Sequence, residues 1–144
     1  MLIPIRNGDN ATVRIGVVIS DELLSNAINL RHEQDPVAFP HQAKMYALKS
    51  ALDWAHPEVQ TKLGWADVII FQRNVLFDGV WNAQDYWRVL GKIILVDLDD
   101  GYSCIPASNP AFPHWILNTV ELDPMPVKAL EEGLRHADAL IAPN

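Results

Sequence analysis

Three short runs of aliphatic and β-branched residues constrain this chain most. They are Arg14-Ile15-Gly16-Val17-Val18-Ile19-Ser20, Ala66-Asp67-Val68-Ile69-Ile70-Phe71-Gln72 and Lys92-Ile93-Ile94-Leu95-Val96-Asp97. A strand with one face in water alternates apolar and polar residues. These runs are nearly continuous, the pattern of strands covered on both faces. Strands of that kind pair in parallel, and parallel neighbours need a crossover segment rather than a tight turn.

The clearest crossover joins the second run to the third. Val80 to Leu90 carries Val80, Trp81, Trp87 and Leu90 on one helical face, and Gly91 stands where a helix ends on a residue of positive φ. A second helix is expected over Pro126 to His136, with Val127, Leu130 and Leu134 apolar, leading into a fourth strand, Ala137 to Ala142. Earlier, Pro40 is placed to open a helix reaching about Trp54, with Met45, Leu48, Leu52 and Ala55 at helical spacing. Glu58 to Leu63 adds a further helical turn, and Leu23 to Pro40 is irregular with room for a short helix within Leu23 to Leu30. Five prolines punctuate Tyr102 to Pro126, so only a short element near Trp115 to Thr119 is expected there. So long a connection suggests a functional or covering role. The strand–helix–strand recurrence predicts an α/β fold: a Rossmann-like three-layer sandwich with a mainly parallel sheet over residues 14–144, preceded by an N-terminal arm over 1–13.

Composition narrows the functional classes. The net charge of -7 opposes general attraction to phosphate backbones, so nucleic acid is not an expected partner. The lone Cys104 excludes an internal disulfide framework, and the first residues lack the apolar core of a signal peptide. No uninterrupted apolar stretch is long enough to cross a bilayer, and the expected location is cytoplasmic.

The candidate chemistry gathers after the third run. Asp97, Asp99 and Asp100 stand where ligands bind in open α/β sheets, beyond the carboxyl ends of the strands. A carboxylate there can orient a sugar hydroxyl or accept its proton, which makes these three the candidate catalytic residues. Equally, an aspartate turn can spend its side chains on backbone N–H groups. Arg73 and Asn74 follow the second run in the corresponding position. Arg73 suits an anionic ligand or one of the acidic turn residues. Tyr102 and Trp115 belong to the long loop, where they either stack on a sugar ring or cover the core. His32, His41, His56, His114 and His136 lack metal-site spacing, and Cys104 has no evident base beside it. Neither a G-x-G-x-x-G fingerprint nor a P-loop occurs, so no metal or cofactor is assigned.

The second run ending in Gln72-Arg73, the third ending in Asp97-Leu98-Asp99-Asp100, and the final Ala137-Asp138-Ala139-Leu140-Ile141-Ala142-Pro143-Asn144 together resemble the N-terminal half of GT-B glycosyltransferases of the group 1, family 4-like kind. That resemblance implies an acceptor-side domain facing a cleft, with a sugar or glycan acceptor as partner. A nucleotide-sugar donor would be held by a C-terminal domain absent from these 144 residues. It also implies a truncated domain, inactive in transfer by itself. Asp97-Leu98-Asp99-Asp100-Gly101 additionally resembles the nucleophile loop of haloacid-dehalogenase-like magnesium-dependent phosphatases, with Asp97 and Asp99 in the nucleophile and acid/base roles, although that loop normally follows the first strand. The third reading is a noncatalytic interaction or regulatory module that uses the sheet edge and the Tyr102 to Trp115 surface.

Overall fold

The computed structural model describes residues 13–20, 42–98 and 101–142. Five strands appear: β1 (Arg14–Ile19), β2 (Gln42–Ala47), β3 (Val68–Gln72), β4 (Ile93–Asp97) and β5 (Ala139–Ile141). Between them run α1 (Leu48–Leu52), α2 (Pro57–Gly64), α3 (Asp78–Val89), α4 (Phe112–Trp115) and α5 (Pro126–Arg135). All four strand pairings are parallel, in the order β2-β1-β3-β4-β5. The result is a Rossmann-like α/β architecture, a parallel sheet flanked by helices, as the unbroken apolar runs required. The N-terminal arm, the Leu23 to Leu30 helix, His32, His41, Asp99, Asp100 and the final Pro143-Asn144 lie outside the described residues.

Register explains the core. Val18, Phe71 and Val96 stand side by side across β1, β3 and β4, as do Ile69 and Ile94 one pleat below. Ala51 of α1, Val59 and Leu63 of α2, Val80 and Trp87 of α3 and Leu130 of α5 join them in one buried cluster. Gly16 belongs to this face because a Cβ there would come within 3.3 Å of the Leu63 side chain. On the opposite face Ile15, Val17, Ile70, Ile93 and Leu95 are half-buried.

Two aspartates close the amino edge of the sheet in the same way. The Asp67 carboxylate accepts the Arg14 amide at 3.0 Å, while the Asp67 amide donates to the Arg14 carbonyl at 2.8 Å. Asp138 repeats this with Ile94, at 2.8 Å in each direction. Each aspartate immediately precedes a strand region and satisfies backbone groups of the adjacent strand. The two Ala-Asp pairs in the sequence therefore build the sheet edge. Beside them the Lys92 ammonium donates to the Gly64 carbonyl at 2.8 Å, and its partial burial lowers its pKa.

Three expectations need correction. The helix expected from Pro40 to about Trp54 is instead β2 followed by the five-residue α1. Lys44, Ala43 and Met45 favour helix locally, but residues 42–47 pair along their whole length with β1, and sheet pairing overrides that weak preference. Lys44 is exposed, as suits an outer strand. Leu90 is 54% exposed rather than part of the buried face, because α3 ends at Val89 and Leu90 is only its cap. Gln84 takes the buried place, its amide donating to the Gly133 carbonyl at 3.1 Å. The short element near Trp115 to Thr119 ends at Trp115, where α4 stops. Gly91 does end α3's connection with a positive φ of 88°.

Helix α5 is held against the segment after β3 by a glycine. A Cβ on Gly133 would lie 2.0 Å from the Val75 carbonyl oxygen, far inside contact distance. Only a hydrogen fits there. Gly133→Ala should therefore lower stability in urea unfolding by about 3 kcal/mol, through forced separation of α5 from residues 73–75.

Candidate functional site

Parallel pairing of β4 with β5 fixes where the long connection runs. The chain leaves β4 at the carboxyl edge and must enter β5 at the amino edge, and α5 makes that return. Residues 101–125 therefore gather at the carboxyl edge, beside the segment leaving β3. Between the two segments lies a cleft of about 440 Å³, lined by Arg73, Asn74, Leu76, Tyr102, Ala111, His114 and Trp115. That volume falls in the range of small-molecule sites. In sheets whose strand order reverses, ligands bind near the reversal at the carboxyl ends. Here the order reverses between β1 and β3, and the cleft begins on the β3 side of that point.

Backbone geometry at the end of β3 forms one wall. The Arg73 amide donates to the Asp97 carbonyl at 2.9 Å, continuing the β3–β4 ladder by one rung. Arg73 then takes a φ of 39°, in the left-handed region rarely used by residues with a Cβ. The Asn74 amide bonds to the Gln72 carbonyl, and the Val75 amide to the Arg73 carbonyl at 2.9 Å. This tight turn carries the chain out of the sheet and puts Arg73 and Asn74 on the cleft.

Support for the turn comes from below. Trp81 of α3 donates its indole N–H to the Val75 carbonyl at 2.8 Å. The same indole lies parallel to His136, with centroids 5.9 Å apart. His136 in turn sits between the Asp85 carboxylate at 2.7 Å and the Glu132 carboxylate at 3.2 Å. Glu132 is also bonded to Arg135, which chiefly lowers the Glu132 pKa. Helices α3 and α5 thus meet beneath the cleft through Trp81 and His136.

The facing wall is aromatic. Tyr102 and Trp115 lie with ring centroids 4.3 Å apart at 37°, and His114 meets Trp115 edge-on at 5.4 Å. Asn109 starts α4's approach, its side chain accepting the Ala111 amide at 2.9 Å. Tyr102 is buried and belongs to the core cluster, so it both covers the core and lines the cleft.

Of the residues singled out in the sequence, Arg73, Asn74, Tyr102 and Trp115 line one cleft. Asp97 reaches the same edge, but its side chain is not among the lining groups, and alternation along β4 turns it away from the face of Val96. What Asp97 gives the site is its carbonyl. Cys104 is exposed and donates to the Gly101 carbonyl at 3.3 Å, outside the lining. Among the described residues no group of three His, Cys, Asp or Glu side chains is placed to hold a metal. Leu76, Ala111 and His114 also line the cleft without having been picked out. His114 carries a sequence signal, an imidazole just after Pro113 at a helix start, whereas Leu76 and Ala111 carry none. No helix of the described residues is long and apolar enough to cross a membrane.

Comparison with protein-family models, with characterised proteins and with solved structures gives no match. The Rossmann-like parallel sheet is thus what the structure shows, and it ties the chain to no particular family.

The indole–carbonyl bond is testable separately from the fold. Trp81→Phe keeps the packing ring and deletes the N–H, which should cost about 1 kcal/mol. Amide hydrogen exchange should accelerate at Asn74 and Val75 more than in β1 or β4.

Proposed function

We propose that this chain is the acceptor-side domain of a GT-B-type glycosyltransferase and that its cleft receives a sugar or glycan. The observation that carries the reading is the lining itself: an aromatic wall of Tyr102 and Trp115, with His114 beside it, stands across about 440 Å³ from Arg73 and Asn74. A sugar ring has apolar C–H faces and a rim of hydroxyls. Aromatic rings meet the faces, and amide, guanidinium and imidazole groups meet the rim.

On this reading the cleft positions an acceptor hydroxyl, and a carboxylate of the acidic turn after β4, Asp99 or Asp100 rather than the averted Asp97, accepts its proton. As it does, the oxygen attacks the donor's anomeric carbon and the nucleotide leaves with the electron pair of the broken C–O bond. The nucleotide-sugar donor is held by a second domain. The chain alone then binds acceptor without transferring sugar. The exposed β5, with Leu140 49% and Ile141 43% accessible, favours the alternative of an interaction module that pairs through its sheet edge.

Calorimetric titration with a panel of methyl glycosides and nucleotide-sugars separates the two. Acceptor function predicts saturable binding of at least one glycoside, weakened about tenfold in Trp115→Ala, equivalent to ~1.4 kcal/mol. Concentration-dependent self-association with no heat from any sugar would replace it with the interaction module.

A further inference from the structure

Charge sets the cleft apart from the rest of the chain. The sequence holds 18 acidic residues against 11 basic ones. Among the described residues, none of the side chains that line the cleft is acidic, and Arg73 is there instead, with Asn74 next to it and His114 against Trp115. All three are half-buried, so a charged group that meets them is screened less than on open surface. A guanidinium carries five N–H donors in a planar fork. A bond from Arg73 to a neighbouring protein group therefore leaves donors for the oxygens of a ligand phosphate or carboxylate. The His114 imidazole adds at least one N–H in either protonation state.

Backbone conformation supplies a second observation. Arg73 sits at a φ of 39°, where a Cβ crowds the chain and glycine or asparagine is the easier residue. The turn itself uses only the Arg73 backbone, whose amide donates to the Asp97 carbonyl and whose carbonyl accepts the Val75 amide, both at 2.9 Å. Any residue but proline supplies those two groups. An arginine held in that conformation contributes something the turn does not need, and its side chain lines the cleft. Strained backbone of this kind gathers at ligand clamps.

We propose that the ligand of this cleft is an anionic sugar, whose phosphate or carboxylate is held by Arg73 while its ring lies against Trp115 and Tyr102. This rests on the sugar-binding reading above and adds the charge of the substrate class. A cleft of about 440 Å³ is near the low end of small-molecule sites, which suits one ring and its charged substituent. The net charge of -7 repels anions at long range, so a preference for the charged sugar has to come from a local contact.

The test is calorimetry at fixed ionic strength with glucose, glucose 6-phosphate and glucuronate, their mannose and galactose counterparts, and inorganic phosphate. The expected result is that the charged form of at least one sugar binds at least tenfold more tightly than the neutral form; the stronger of phosphate and carboxylate then identifies the oxyanion. In the unaltered protein the Arg73 side-chain N–H signal should shift with the charged sugar and not with the neutral one. Arg73→Gln removes the charge, and charged and neutral forms should then bind alike. Arg73→Gly should lose the same preference while unfolding in urea no earlier than Arg73→Gln, since glycine suits the left-handed turn. Equal affinity for charged and neutral forms, or a preference that survives both substitutions, overturns the anionic inference and leaves sugar binding intact. So does an Arg73 signal that ignores the charged sugar. Loss of stability in both variants with the preference unchanged would assign Arg73 to holding the acidic turn, and overturns it too. Inorganic phosphate binding as tightly as the sugar phosphate would show an anion site that ignores the sugar, with the same consequence. Absence of binding by every sugar removes the sugar reading and this inference together.

Discussion

One hydrogen bond, from the Arg73 amide to the Asp97 carbonyl at 2.9 Å, decides where the sheet stops and the site begins. It is the last rung between β3 and β4. Beyond it the chain at Arg73 enters a left-handed conformation and turns out of the sheet, while the chain after β4 moves into the long connection. The cleft is the gap between these departures. Its position therefore follows from strand register: a one-residue slip of β3 against β4 would move Arg73 off this edge and reverse the faces of Ile69 and Phe71.

The two ends of the sheet have divided tasks. At the amino edge, Asp67 and Asp138 hold neighbouring strands through reciprocal bonds to Arg14 and Ile94, with carboxylates spent on backbone amides. At the carboxyl edge, side chains of Arg73, Asn74, His114 and Trp115 line the cleft. Helices α3 and α5 connect the two, since the Gly133 contact with Val75 and the Trp81 bond to the same carbonyl fix the height of the turn above them. Core packing and site geometry are consequently one problem in this molecule.

The central strands were legible because burial on both faces leaves a continuous apolar run, a pattern that local context does not alter. β2 was not. Its Lys, Ala and Met residues read as helix, and only the presence of β1 alongside makes them a strand. The cleft was half legible. Arg73, Asn74, Tyr102 and Trp115 could be named because strand ends and long loops are where ligands meet α/β sheets, whereas Leu76 and Ala111 line it through tertiary placement alone. Asp97 shows the limit of counting carboxylates: position put it at the right edge, but the pleat turned its side chain from the lining. The Ala-Asp pair before β5, part of what resembled GT-B enzymes, is accounted for by sheet closure.

The central claim is that ligand recognition belongs to the carboxyl edge between the β3 and β4 connections. Amide chemical shifts mapped during saturation with a binding glycoside test it most directly. Perturbations confined to residues 73–77 and 101–122 are the predicted result. Perturbations centred on Trp65, Asp67, Lys92 and Asp138 at the opposite edge, or on β5, would contradict it.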